Sequence, residues 1–205
     1  DIGSDNDSLF LASTERTGLH YDIYQGSISS GDLELIFEGN YGNFARALSP
    51  DGRYLVVTET VGEDSDYLSL LDTTTREMRV VSQPESRANH GDGGFAWSPD
   101  SQTLYMSSNT DREFAAVVAY DVIGGRFESL VESEFDLADV QLCGENGAYL
   151  VWTENRNGFD VLGGRHLASG SAISFPAIPE GVYSLSCSQQ SSTLIVGVNG
   201  WQTPG

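Results

Sequence analysis

Apolar and polar positions along the chain follow one layout five times: an apolar residue, six residues of turn-forming character, then an apolar run. The runs are Leu9-Phe10-Leu11, Leu55-Val56-Val57, Leu104-Tyr105-Met106, Leu150-Val151-Trp152 and Leu194-Ile195-Val196. Their leading leucines are spaced by 46, 49, 46 and 44 residues, and seven positions before each stand Ile2, Leu48, Trp97, Cys143 and Cys187. An unbroken apolar run of this length, bounded by turn formers, suits a strand covered on both faces. Self-similarity with a period of about 40–50 residues marks the blades of a propeller.

Each repeat reads as four strands, a to d. Strand a falls at residues 44–48, 94–97, 140–143 and 182–187, and the leucine runs are strand b. Strand c follows at residues 22–25, 67–71, 117–120 and 159–162. Strand d, at residues 33–37, 78–80, 127–128 and 173–175, alternates apolar and polar positions as a half-exposed outer strand does. Ser49-Pro50-Asp51-Gly52 has a type I turn signature, Ser98-Pro99-Asp100-Ser101 keeps most of it, and Gly144-Glu145-Asn146-Gly147 and Ser188-Gln189-Gln190-Ser191 are their counterparts. No helix is expected. The fold class is therefore all-β: a β-propeller of about four four-stranded antiparallel blades, with repeats near 1–43, 44–92, 93–138, 139–181 and a partial 182–205. The incomplete first and last repeats point to a single segment of a larger ring, seven-bladed or similar. The alternative is closure at four blades, with residues 182–187 completing the first blade and residues 193–199 left over.

Charge narrows the partners. Thirty acidic residues face ten basic ones, all Arg, for a net charge of -20. Such a surface does not neutralise phosphates, which argues against nucleic acid, and it is repelled by anionic lipid. Self-repulsion of this size opposes a compact state at low ionic strength and largely disappears near 1 M salt, where the Debye length is about 3 Å. An acid-rich chain without lysine resembles proteins of salt-in halophiles; an ordinary acidic protein is the plainer reading. No run of 18 apolar residues exists, so no membrane span is expected, and the first residues lack the basic and apolar regions of a signal peptide. A cytoplasmic setting is favoured. Cys143 and Cys187 occupy one repeat position, a blade apart, and read as small buried apolar groups rather than as a bridge.

The search for chemistry returns no catalytic, cofactor-binding or metal-binding set. No Gly-x-Ser-x-Gly elbow occurs, and Gly170-Ser171-Ala172 lacks the second glycine. His20, His90 and His166 fall at no metal-ligand spacing, and His166 stands where Asp72 and Asp121 stand in other repeats, as a turn residue. The glycines of Asn89-His90-Gly91-Asp92-Gly93-Gly94 suit a tight loop, or a close approach to ligand. Glu63-Asp64-Ser65-Asp66 and Asp5-Asn6-Asp7 lack the glycine and distal glutamate of a calcium loop and read as solvated turns. Arg46 and Arg156, with Trp152 and Glu154, are the candidates to face a channel or ring mouth and meet substrate. Gln141 and Arg46 are the obvious polar groups on strands a, too few for a sugar-active channel.

The Ser-Pro-Asp-Gly copies resemble the repeats of TolB-type propellers. Combined with Thr153-Glu154-Asn155-Arg156-Asn157-Gly158-Phe159 and the tail Val196-Gly197-Val198-Asn199-Gly200-Trp201-Gln202-Thr203-Pro204-Gly205, they look like the propeller of the prolyl oligopeptidase family, acylaminoacyl-peptidase branch. That resemblance implies a non-catalytic propeller that admits short unfolded peptides, and a C-terminal α/β-hydrolase domain carrying a Ser-His-Asp triad for peptide hydrolysis. Cys143 and Cys187 depart from it, standing where an aromatic residue is commoner. From a different class comes the second reading, a TolB-like module whose ring mouth docks another protein; fold alone does not choose.

Overall fold

Every predicted apolar run forms a strand in the computed structural model, which describes residues 2–3, 5–188 and 191–200. The tail motif from Trp201 to Gly205, and Gln189 and Gln190 of the fourth turn, lie outside the described residues. The chain divides into two compact units, residues 1–90 and 91–205. No helix is long and apolar enough to cross a membrane.

The first unit holds two antiparallel sheets. One is β1 (Ser8–Ser13), β2 (Asp22–Ser27) and β3 (Leu33–Phe37); Ile2, bridged to Leu9, marks where a strand a would lie. The other is β4 (Asn43–Leu48), β5 (Tyr54–Gly62), β6 (Ser65–Asp72) and β7 (Met78–Ser82), in sequential order. Phe10, Ile23 and Ile36 of the first sheet share one core with Leu55, Val57 and Leu71 of the second. The leucine run of β5 is buried on both faces, as an unbroken apolar pattern requires.

In the second unit, β8 (His90–Trp97, its first residue still part of the first unit), β9 (Thr103–Ser108), β10 (Ala116–Asp121) and β11 (Arg126–Val131) form a four-stranded sheet. A three-stranded sheet follows: β12 (Leu137–Cys143), β13 (Tyr149–Arg156) and β14 (Phe159–His166). Strands β15 (Val182–Cys187) and β16 (Leu194–Asn199) make a two-stranded ribbon. Val117, Leu137, Val140, Leu150 and Trp152 belong to one core cluster, and Cys143, Val151 and Leu185 to another.

The two Ser-Pro-Asp turns close through the same network. Ser49 Oγ donates to Asp51 Oδ1 (2.6 Å) and accepts from the Tyr54 N–H (2.8 Å); Ser98 Oγ donates to Asp100 Oδ1 (2.6 Å) and accepts from the Thr103 N–H (2.9 Å). The hydrogen bond from Ser98 pulls the Asp100 pKa below its ordinary value. Gly52 takes the left-handed conformation at φ 75°, and Ser101 takes it at φ 60° in the copy that lacks the glycine.

Several expectations need correction. Cys143 and Cys187 form a disulfide, with Cα atoms 5.4 Å apart. Their shared repeat position places the last residues of β12 and β15 side by side, within bridging distance. Residues 173–175 do not make a fourth strand on β14: among the described residues the contact is the Arg165–Ala172 bridge, with bonds from the His166 N–H to the Ser171 carbonyl (2.8 Å) and from the Ile173 N–H to the Gly164 carbonyl (2.9 Å). Pro176 and Pro179 follow and have no N–H to continue a ladder. Phe175 turns inward and packs over Gly164, where a Cβ would meet its ring at 2.9 Å. Residues 182–187 pair with β16. The loop expected at residues 89–94 is the first half of β8, and Glu145–Gly147 closes as one 3-10 turn.

Candidate functional site

The sequence candidates separate once side chains are placed. Trp152 is buried in the core, its indole lying against Gly163 where a Cβ would collide with it, so it is a packing residue and not a channel group. Glu154 accepts from Ser133 Oγ (2.5 Å) and pairs with Arg156 (2.9 Å), whose guanidinium also stands 5.9 Å from the Phe135 ring centre. Arg46 sits on a bulge of β4, exposed; its Nε donates to Thr58 Oγ1 (2.8 Å), and its guanidinium stands 5.4 Å from the Phe44 ring. A bulge re-aims one side chain out of the ladder, which leaves Arg46 available on strand a. Gln141 donates to Asp139 Oδ1 (2.9 Å).

The acidic runs are turn architecture. Asp5 accepts from the N–H groups of Asp7 and Ser8 and from the Ser8 hydroxyl, which together hold its pKa down at about 2. Asp7 accepts from Ser27 Oγ and the Ser29 N–H (both 2.8 Å). Asp64 pairs with Arg87 at 3.1 Å. His166 keeps the role of Asp72 and Asp121: its Nδ1 accepts from the Ser169 N–H (3.3 Å), as their carboxylates accept from N–H groups two and three residues on. The backbone of His20 donates to Thr17 Oγ1 (2.8 Å).

His90 has a different place. Its Nδ1–H donates to Asp66 Oδ1 (2.6 Å), and its Nε2 lies 2.9 Å from Ser82 Oγ. A Ser-His-Asp series is the hydrogen-bond order of an acyl-transfer triad. Here the imidazole is wholly buried and ties together the start of β6, the end of β7 and the start of β8. It acts as a brace.

This brace belongs to a recurring device that the sequence reading missed. Asp22, Asp66 and Asp160, each within the first two residues of its strand c, are buried and grip the segment entering the next strand a. Asp22 accepts from the Gly39 N–H (2.9 Å), Asp66 from His90, and Asp160 from the Tyr183 N–H (2.7 Å). The signal was there, an aspartate 10 to 13 residues after the b-strand leucines Leu9, Leu55 and Leu150. Variable hairpin lengths between b and c blur the spacing.

A cavity of about 520 Å³ opens along β14. Phe159, Val161 and Leu162 of β14 line it together with Ile173, Phe175, Pro176 and Ile178, and the polar groups in its lining are Arg156, Asp160, Glu180 and Tyr183. Burial and the nearby carboxylates of Asp160 and Glu180 push the Tyr183 phenol up from its ordinary pKa, and its hydroxyl donates to the Pro179 carbonyl (2.8 Å). Volume and lining fall within the range of small-ligand pockets.

These sheets define a β-propeller fold. Solved structures share it: prolyl oligopeptidase B from Galerina marginata, bound to a 35mer hydrolysis and macrocyclization substrate, matches with a TM-score of 0.79 at 17% identity, over 100% of this chain and 30% of that one. TolB from Acinetobacter baumannii matches with a TM-score of 0.66 at 18% identity, over 89% of this chain and 44% of that one. Oligogalacturonate lyase from Vibrio parahaemolyticus matches at 0.66 and 14% identity, over 90% of this chain and 53% of that one. The chain thus spans between about a third and just over half the length of these proteins. No family model matches the chain, and no curated protein does.

Proposed function

We propose that the chain is the non-catalytic, substrate-gating propeller segment of a serine peptidase of the prolyl oligopeptidase type, with hydrolysis carried by an α/β-hydrolase domain of a longer protein. The observation that carries this reading is the extent of the likeness. The match to prolyl oligopeptidase B runs over 100% of the chain with a TM-score of 0.79, against 89% and 0.66 for TolB. Gating is the role a complete propeller ring offers such an enzyme: the central channel of a propeller is narrow enough to admit an unfolded peptide and exclude a folded one. Catalysis would be acyl transfer by a triad outside these residues. The competing reading, a TolB-like protein-binding module, rests on the TolB likeness and the Ser-Pro-Asp turns.

Two features of setting accompany the proposal. The charge of -20 favours a salt-rich environment. The disulfide favours an oxidising setting over a cytoplasmic one. The 205-residue chain alone is expected to leave acyl-peptide substrates intact; serine-dependent hydrolysis by the purified chain, abolished by a serine-directed phosphonate, contradicts the reading.

A further inference from the structure

The seams between neighbouring sheets are not built alike. Buried Phe10, Ile23, Leu55 and Leu71 close the seam within the first unit, and buried Val117, Leu137, Leu150 and Trp152 close that between β8–β11 and β12–β14. Where the β15–β16 ribbon meets β12–β14, the buried apolar residues are Cys143, Val151 and Leu185, while Tyr149, Phe175, Leu194 and Val196 are only partly covered. A cavity of about 290 Å³ lies in this seam, lined by Cys143, Tyr149, Val151, Ile173, Phe175 and Leu194. Atoms facing a void lack partners on one side and forfeit the dispersion attraction of a filled core. The Cys143–Cys187 bond therefore stands where the packing is thinnest. Hydrogen bonds supply the other ties: the Tyr183 and Leu185 N–H groups to Asp160 and Asp139, the Gly144 N–H to the Ser188 carbonyl (3.0 Å) and the Asp160 N–H to the Gly181 carbonyl (2.8 Å).

We propose that Cys143–Cys187 is a redox latch: reduction by a dithiol frees the β15–β16 ribbon from β12–β14 and leaves the remaining sheets in place. Cys143 is buried, whereas Cys187 is half-buried between exposed Ser186 and Ser188. A thiolate of the dithiol therefore attacks Cys187 Sγ, the S–S bond breaks, and Cys143 leaves as a thiolate that takes a proton. The second thiol of the dithiol then attacks the mixed disulfide and releases the Cys187 thiol. Two electrons and two protons pass to the protein, and the dithiol becomes a disulfide. The reduced chain keeps its fold because Leu48 and Trp97 hold the same repeat position elsewhere, and a thiol serves there as a small apolar group. It loses the ribbon because two thiols fill less space than those side chains beside an existing cavity. What then remains is a pair of strands, marginal alone, held by hydrogen bonds that water competes for. The proposal is independent of the peptidase reading, since it needs no hydrolysis and no residue outside this chain.

The test uses the 205-residue chain in native buffer with dithiothreitol, thiol capture by iodoacetamide, and hydrogen exchange read by segment. Both cysteines are expected to become alkylated while far-ultraviolet circular dichroism stays unchanged. Exchange in residues 182–199 is expected to rise about a hundredfold or more, the scale of the chain entropy that a bridge of this loop length removes, with β5, β9 and β13 still protected. Oxidised glutathione is expected to restore the protection. The double variant Cys143→Ser, Cys187→Ser is expected to exchange like the reduced chain and to ignore dithiothreitol. Four outcomes overturn the proposal: thiols that appear only when urea unfolds the whole chain, protection lost evenly across all sheets, unchanged exchange of residues 182–199 in the fully reduced chain, or a double variant that responds to the dithiol as the wild type does.

Discussion

Asp66 and His90, 24 residues apart, are joined by a 2.6 Å hydrogen bond that fastens the start of β6 to the start of β8. The Asp66 N–H adds a bond to the Ala88 carbonyl (2.9 Å) at the same crossing. Asp66→Ala leaves a donor unpaired in a buried site, which costs about 1–3 kcal/mol. Urea unfolding is expected to show a lower midpoint with an unchanged slope. An unaltered midpoint contradicts the brace.

The disulfide replaces hydrogen bonds that a two-stranded ribbon lacks. β15–β16 is held to its neighbours by Cys143–Cys187, by N–H groups of Tyr183 and Leu185 donated to Asp160 and Asp139, and by Leu185 in the core. A ribbon of two strands is marginal alone. For a bridge spanning 44 residues, the chain-entropy relation gives about 4 kcal/mol. The double variant Cys143→Ser, Cys187→Ser is expected to lose stability of that order, and to lose amide protection first in residues 182–199. Free thiols in the native wild-type chain contradict this account.

Acid weakens the first unit through Asp22. Its carboxylate is buried and receives both Nε (2.7 Å) and Nη2 (2.8 Å) of Arg16, and those hydrogen bonds outweigh burial and hold its pKa below the ordinary value. Asp72 is lowered too, chiefly by the Thr75 N–H. A carboxyl depressed in the folded state contributes its full stability above the unfolded value, near 3.9, and loses it as pH falls through the folded value. Midpoints are therefore expected to fall steadily below about pH 4. Asp22→Asn should be less stable at pH 7 and show a shallower acid slope; a slope equal to that of the wild type contradicts the assignment.

Salt should act in the opposite sense to its usual effect on ion pairs. Nine Asp/Glu pairings with Arg or His recur among the described residues. They leave most acids of a chain at -20 without a cation. Screening the remaining repulsion is worth more than the surface pairs it weakens. Melting temperature is expected to rise between low salt and 1 M KCl. A flat or falling series removes the salt-rich setting.

What could be read from the sequence followed from periodicity. The five leucine runs and the Ser-Pro-Asp turns determine strand type, pairing order and most strand positions, because a strand covered on both faces tolerates only apolar residues. The disulfide was misread because Cys143 and Cys187 obey the apolar pattern as well as a bridge does, and only coordinates bring them to 5.4 Å. The missing strand on β14 was misread because Ile173-Ser174-Phe175 alternates correctly, while the prolines and the packing of Phe175 on Gly164 decide otherwise. Trp152 looked like a channel residue for want of its partner, the Gly163 that receives it. The cavity along β14 had no local signal, because its lining is drawn from β14 and from residues 173–183, which follow no shared periodicity.

The central claim is the gating role, and the size dependence of hydrolysis by the full-length gene product tests it most directly. One scissile sequence is offered as a free decapeptide and grafted into a rigid surface loop of a folded protein. The account predicts rapid cleavage of the peptide and at least a hundredfold slower cleavage of the folded host. Comparable rates on both, or no hydrolysis of either, contradict it.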